Sequence, residues 1–291
     1  MTLLVIGGTG IDTVVPVADL PVLGADSARP LGPIQDHVSH TGTCVALALR
    51  ALGERVSVID TLGDDDEGRR IVAAFASWGI GLRAAPAPAG TRRAVNLMSP
   101  DGRRLSLYDG RDVEGYRLPE EYYRPLPADV RHVHVTIMDW ARHLLPSLRE
   151  SGVTVSTDLH DWDGENPYHL DFARGADVVF VSAVQLASGA AGRILAEGVA
   201  AKVVVTDGAK GADLHTASGV AHRDAADPGA PIVDTNGAGD AFAAAFLSAW
   251  LAGESDEACL GQAVIAGAYA CTAPVGADAF IDRATLTARW N

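Results

Sequence analysis

The run Asp234-Thr235-Asn236-Gly237-Ala238-Gly239-Asp240 combines three features that suit phosphoryl transfer. Gly237 and Gly239 flank Ala238 and leave the backbone bare. Successive N–H groups can then converge on an anion at the positive end of a helix. That helix is expected to begin near Gly239, because Phe242, Phe246 and Trp250 recur every four residues after it. Asp240 falls in its first turn, beside the anion site. A carboxylate there would repel a static phosphate. It makes sense as a base that takes the proton from a hydroxyl attacking phosphorus. The plainer alternative is a Gly-rich helix start in which Asp240 only faces the helix dipole.

Other residues at strand ends add to this chemistry. Gly8-Thr9-Gly10-Ile11-Asp12 offers a carboxylate just after a short apolar run. It reads as an acceptor for substrate hydroxyls or as an ordinary turn aspartate. Thr206-Asp207-Gly208-Ala209-Lys210-Gly211 is a strand followed by a glycine turn, suited to phosphate oxygens but weak as a bare motif. Gly8-Thr9-Gly10 also hints at a dinucleotide fingerprint, but Thr13 stands where the third glycine belongs. His132-Val133-His134 puts two imidazoles on one strand face, with Asp139, His143, Asp158 and His160 following. That set leaves a His/carboxylate metal site open as a competing hydrolase reading.

These groups need a scaffold of strands and helices. Leu3 to Ile6, Arg55 to Ile59, Val133 to Ile137, Val153 to Thr157, Val178 to Val181 and Val203 to Thr206 read as buried strands. Cys44 to Leu52 reads as a helix stopped by Gly53, and Glu67 to Trp78 as a helix stopped by Gly79. Gly261 to Ala270 reads as a packed helix. Strands alternating with helices predict an α/β fold with a mainly parallel sheet covered on both faces. Two stretches break the rhythm. Residues 13–39 are proline-rich. Residues 87–112 contain strand-like runs, Ala94 to Met98 and Arg104 to Tyr108, around an Asp101-Gly102 turn. Together they are expected to form a small β-sheet lid over the crevice. The core would then comprise 1–12, 40–86 and 113–291. Arg92, Arg93, Arg103, Arg104 and Arg111 cluster in this region. They read as solvated hairpin ends or as inward cations for a phosphate.

At this point the sequence resembles the ribokinase-like (PfkB) carbohydrate and nucleoside kinase family. The Asp-Thr-Asn-Gly-Ala-Gly-Asp segment is similar to that family's second signature, and the resemblance runs over nearly the whole chain. It implies a three-layer Rossmann-like fold and ATP-dependent phosphorylation of a hydroxymethyl group of a sugar or nucleoside. Asp240 is then the catalytic base, and Gly237, Ala238 and Gly239 form the anion hole. Asp12, His40, Gly42 and Cys44 would contact the acceptor. Thr206, Gly208, Gly211 and Asn236 would hold the nucleotide. Magnesium would bridge the phosphates, with Gln185 in a water-mediated shell. Asp234 is a possible ligand for a monovalent cation, K+. Gly63-Asp64-Asp65 with Gly68 resembles a structural turn of the family.

The chain also departs from the family. Ser39-His40 replaces paired glycines, Cys44 stands where an asparagine is usual, and Gln185 stands where a glutamate is usual. Asp158-Leu159-His160 replaces an Asp-x-Asn. A phosphosugar kinase, and a weak kinase-like sensor that binds without turnover, therefore remain alternatives.

Composition sets the outer limits. The 291 residues carry 37 acidic and 23 basic side chains, a net charge of −14, which disfavours nucleic-acid partners. The three cysteines Cys44, Cys259 and Cys271 form no CxxC pair and suit a reducing cytoplasm. No signal peptide is expected from Met1-Thr-Leu-Leu-Val-Ile-Gly-Gly. The apolar run Ala241 to Ala252 is too short for a membrane span, which needs roughly 20 residues. Exposed lid edges make a homodimer through the lid plausible.

Overall fold

The computed structural model describes residues 2–20, 27–100 and 103–290. The expected Asp101-Gly102 turn lies outside them, as do Met1 and Pro21. In chain order the strands are β1 (Thr2–Ile6), β2 (Gly10–Pro16), β3 (Gln35–Ser39), β4 (Arg55–Leu62), β5 (Gly81–Pro86), β6 (Arg93–Met98), β7 (Arg104–Asp109), β8 (Val130–Val135), β9 (Thr154–Asp158), β10 (Val178–Ser182), β11 (Lys202–Thr206), β12 (Ala212–Thr216) and β13 (Gly219–Arg223). The helices are α1 (Thr41–Ala51), α2 (Asp66–Trp78), α3 (Leu145–Glu150), α4 (Leu170–Gly175), α5 (Ala190–Glu197), α6 (Ala238–Leu251), α7 (Asp256–Ala270) and α8 (Arg283–Trp290).

The main sheet has nine strands in the order β13-β12-β11-β10-β9-β8-β1-β4-β5. It is parallel from β11 to β5, and β12 and β13 add an antiparallel edge. Period-two alternation divides the central strands between two cores. Leu4 and Ile6 of β1 join Leu148 of α3, Phe172 of α4 and Ile194 of α5 on one face. Leu3 and Val5 join Leu47 of α1, Phe75 of α2 and Ala244 of α6 on the other. Phe242 and Phe246 of α6 pack with Phe180 of β10 and Leu260 of α7. Three layers result, as expected. No helix among the described residues is long and apolar enough to cross a membrane.

A second sheet of four strands has the order β3-β2-β6-β7. It starts at Gly10, so Gly10 to Asp12 belong to it and not to the central sheet. The chain enters it through residues 7–9 and re-enters it through 87–92. One buried ion pair holds both crossings. Asp60 of β4 accepts hydrogen bonds from Thr9 N and Thr9 Oγ1, each at 2.6 Å, and pairs with Arg92. Arg92 also donates to Thr61 Oγ1 at 3.0 Å and Thr61 O at 3.1 Å. The Arg92 side chain is 4% exposed, so it is no solvated hairpin end. Long-range pairing of this kind is invisible to local periodicity.

Element ends differ from the sequence reading in ways that matter for the site. α1 begins at Thr41, three residues ahead of the first apolar position, which puts Thr41 in its first turn. β9 runs one residue further, to Asp158, and places that carboxylate at the strand's C-terminal end.

Candidate active site

Gly237 takes a left-handed backbone (φ 78°) as the cap of α6, and Ala238, Gly239 and Asp240 form its first turn. The first N–H groups of a helix have no helical acceptor, so this turn has the form of an anion nest. Asp234 shapes it from below. Its Oδ1 accepts from Asn236 N at 2.9 Å and Asn236 Nδ2 at 2.7 Å, and its Oδ2 accepts from Val275 N at 3.1 Å. Both oxygens of the expected cation ligand are thus engaged in fixing the turn against the loop after α7.

Asp240 is part-buried where the N-termini of α6 and α1 meet. Thr41 Oγ1 donates to its Oδ1 at 2.5 Å. Burial, with the charge of Asp158, pushes the Asp240 carboxyl up to about 6. The Thr41 hydrogen bond, His160 and Arg104 pull the other way. A carboxylate with this pKa is ionised at neutral pH yet remains a useful proton acceptor.

Asp158 stands across the nest. Its Oδ2 is 4.0 Å from where a Cβ on Gly239 would be, the nearest side-chain atom to that position. Its Oδ1 accepts from His160 N at 2.8 Å. The sequence alone offers Asp158 as a member of the competing metal set and this segment as a surface turn or a substrate contact, and gives it no part in phosphoryl transfer. The available signal was an aspartate at the C-terminal end of a parallel strand, where α/β proteins place their ligands.

The lid reaches the same place. Arg104, at the start of β7, donates to Asn236 Oδ1. Arg104 is therefore inward, whereas Arg103 pairs with Asp19, Arg93 with Glu67 and Arg111 with Asp109. Alternation along β7 explains the choice: Arg104, Ser106 and Tyr108 share a face, and Tyr108 meets His40 with ring centroids 5.7 Å apart.

On the acceptor side, Asp12 of β2 is 7% exposed, and its Oδ1 lies 3.0 Å from His40 Nε2. Burial works to raise the Asp12 carboxyl, but the hydrogen bond and charge of His40, with Ser39, hold it below its ordinary value. Cys44 is buried, its Sγ 3.6 Å from Ser39 Oγ. Burial and the Asp240 charge push its thiol well up, so it is neutral. Gly42 is packed against the Gly7 carbonyl, and any side chain there would collide with it. The structure brings Asp12, His40, Cys44 and Asp240 together, and places Gly42 in the joint between α1 and β1.

On the nucleotide side, Thr206 ends β11 and Gly208 is exposed in the turn that follows. Gly211 is buried against the carbonyl of Arg223 in β13, a close backbone approach. Gln185 lies on the surface, its Nε2 donating to Asp161 Oδ2 at 3.0 Å. The competing metal site does not form. His132 bonds Thr154 Oγ1 and Ser156 Oγ, each at 2.8 Å, and His134 bonds Ser156 Oγ at 2.9 Å. Burial pulls these imidazoles down to about 3 and about 4, so both are neutral. No group of three or more metal-ligating side chains occurs among the described residues.

Comparison with known proteins identifies the family. Residues 41–281 match the model of the pfkB family carbohydrate kinases. The acarbose 7(IV)-phosphotransferase of Actinoplanes sp. is 46% identical over 97% of this chain and 96% of its own length. The ATP-dependent ribose-1-phosphate kinase of Halopiger xanaduensis is 32% identical over 77% of each chain. Among solved structures, a microbiome-derived acarbose kinase superposes with a TM-score of 0.90 at 41% identity, covering 99% of this chain and 98% of the other. Arabidopsis thaliana ribokinase, at 22% identity and a TM-score of 0.78 over 99% and 98% of the two chains, shows the shared fold. The chain belongs to the pfkB family of carbohydrate kinases and is a phosphotransferase with an alcohol group as acceptor.

Proposed function

We propose that this protein transfers the γ-phosphoryl group of ATP to a hydroxymethyl group of a neutral glycoside related to acarbose. The observation that carries the reaction is Asp240, raised to about 6 and held by Thr41 beside the open N-terminus of α6. Asp240 accepts the proton of the acceptor hydroxyl as its oxygen bonds to phosphorus and the bond to ADP breaks. The N–H groups of the Gly237–Gly239 turn take the negative charge of the phosphoryl in transit. Asn236 and the exposed turn at Gly208 border the nucleotide, with Thr206 and Gly211 fixing that turn's ends. The acceptor class rests on the 46% identity to the acarbose enzyme across nearly the full length of both chains.

Magnesium fits this site through one carboxylate. Asp158 faces the nest with Oδ2, a hard oxygen donor of the type Mg2+ takes alongside substrate phosphates. Gln185 would act only at a distance, through Asp161 or water. When bound, the ion neutralises charge between the phosphates of ATP. K+ near Asp234 would serve the loop after α7 rather than the reacting groups.

A coupled ADP-release assay tests the reading with acarbose, ribose, ribose 1-phosphate and a nucleoside. Acarbose should be preferred at least tenfold in kcat/KM. A phosphosugar kinase is the second reading, favoured by Arg104 beside Asn236. A tenfold preference for ribose 1-phosphate would establish it instead. Binding of acarbose with no ADP release would favour a sensor.

The assembly we propose is a homodimer in the cytoplasm, formed through the lid. β7 is an edge strand whose Leu105 and Leu107 are about half exposed on the face opposite Arg104. Light scattering of the wild type and of Leu107→Glu tests it, the variant being expected to run as a monomer.

A further inference from the structure

We propose that His40 is the specificity-determining residue of the acceptor site, selecting an extended glycoside over a free pentose. The inference rests on the kinase reading above. Its starting point is the backbone. His40 has φ 73° and ψ 161°, a region that is essentially glycine's alone. Among the described residues, the two other non-glycine residues with positive φ, Arg111 at 51° and His160 at 54°, have φ values near the ordinary left-handed region. His40 therefore holds a conformation that a glycine would hold without strain. Such strain persists only where the surroundings over-determine it.

The surroundings do so from three sides. A Cβ on Gly10 would run into Cε1, Nδ1 and Nε2 of His40, so the imidazole occupies the hollow left by that glycine. Asp12 Oδ1 stands 3.0 Å from Nε2. The ring of Tyr108, from the inner face of the lid, stacks obliquely at 5.7 Å and 50°. The imidazole thus spans the floor from β2 to β7, one residue from the threonine that holds Asp240.

Two consequences follow for the acceptor. The floor is shallow, because a ring fills what a glycine would leave open. A small free sugar cannot then bury most of its surface, which tight small-ligand binding requires. An extended glycoside recovers contact area against the aromatic face of Tyr108. The second consequence is polar. His40 Nε2 is buried, with its side chain 6% exposed, and lies 3.0 Å from Asp12 Oδ1, so the imidazole fixes the direction of that carboxylate. The Asp12 carboxylate, aimed by the imidazole, is then a polar edge that accepts from a ring hydroxyl. A hydroxyl matched by such an edge is worth far more than one facing an apolar wall.

The test compares His40→Gly, His40→Ala and Tyr108→Ala with wild type, using acarbose and ribose. The ratio of kcat/KM values, acarbose over ribose, should fall about tenfold or more in all three. His40→Gly should also gain activity on ribose. The two His40 variants lose the same side chain beyond Cβ, but only glycine suits the backbone, so His40→Gly should melt a few degrees above His40→Ala. Calorimetric binding of both sugars, in the presence of a non-hydrolysable ATP analogue, reads the same ratio without turnover. If wild type binds acarbose but phosphorylates nothing, the kinase reading falls while the binding ratio still decides His40. A ratio that moves less than threefold in His40→Gly and His40→Ala, by both readouts, overturns the proposal.

Discussion

The turn at 234–240 and the floor at 39–44 touch at the Thr41–Asp240 hydrogen bond, yet they are built on opposite plans. The turn works through backbone. Glycines expose N–H groups at the start of α6, and a single side chain, Asp240, is the proposed base. The floor works through side chains. Ser39, His40 and Cys44 stand where the family resemblance leads one to expect glycines and an asparagine. Phosphoryl transfer presents the same charge whatever the acceptor, so a backbone nest serves every member of such a family. Acceptor hydroxyls differ in number and direction, so the floor must vary. The reaction and its acceptor are therefore recorded in different chemical languages within a few ångströms of each other.

The largest expected effect lies in the turn. Asp240→Asn should lower kcat by roughly 10²- to 10⁴-fold, with ATP binding close to wild type, because the nest survives and only proton acceptance is lost. The same substitution should act oppositely on stability. The folded pKa of about 6 lies above the ordinary carboxylate value of 3.8, so ionising Asp240 costs stability as pH rises through that interval. The cost is full above pH 6 and absent below 4. Asp240→Asn should thus be more stable than wild type at pH 8, by on the order of 2 kcal/mol, and no more stable at pH 4. Turnover and urea unfolding on one preparation give both answers, and near-normal turnover would remove Asp240 from the mechanism.

Next in size is the joint between the two sheets. Arg92→Ala leaves Asp60, which is fully buried, without its guanidinium. Breaking a buried pair from one side typically costs about 3–5 kcal/mol. Unfolding free energy should drop by that amount, and the KM for acceptor should rise, because Arg92 lies at the entry to β6 and fixes the lid. A loss under about 1 kcal/mol would show that the lid is held by its strand pairing instead.

These two regions also mark what the sequence could tell. The turn was legible because its residues are contiguous and the helix behind it has a clear four-residue period. The alternation of strands and helices was legible for the same reason. The Asp60–Arg92 joint was not, since its partners are 32 residues apart and nothing local distinguishes Arg92 from Arg93. The inward direction of Arg104 depended on the phase of β7 relative to the core. The floor was visible only as a departure: Ser39-His40 could be seen to replace glycines, but not that His40 would keep a glycine-like backbone and seat its ring over Gly10. Asp158 was visible as a candidate ligand of the competing metal set, but not that the end of β9 aims its carboxylate at the start of α6.

A smaller effect probes the point of contact between the regions. Thr41 and Arg104 both hold the Asp240 carboxyl down, and Thr41 does so more strongly. In the proposed mechanism the active form is ionised Asp240, so kcat/KM should fall as pH drops below about 6. Thr41→Val should move this acid limb to higher pH by roughly 0.5–1 unit, and Arg104→Ala by less. At pH 8 the rate should change little for Thr41→Val. An acid limb that stays in place in both variants would mean that another group sets it.

The smallest effect expected is at Cys44, and it separates a floor of specific contacts from one of mere packing. The thiol is 3% exposed, and burial together with the Asp240 charge keeps it protonated. A neutral, enclosed thiol is a poor nucleophile, since reactivity follows the thiolate. It makes a weak sulfur contact with Ser39 Oγ at 3.6 Å. Cys44→Ser keeps the shape and the weak donor, so kcat/KM for the preferred acceptor should change less than about threefold. Iodoacetamide should label the half-buried Cys271 well before Cys44, as peptide mass mapping at pH 7.5 would reveal. Rapid labelling of Cys44, with acceptor protecting against it, would mean that the floor opens to solvent in the working enzyme. The contrast drawn between a rigid side-chain floor and a backbone nest would then have to be abandoned in favour of a mobile acceptor site.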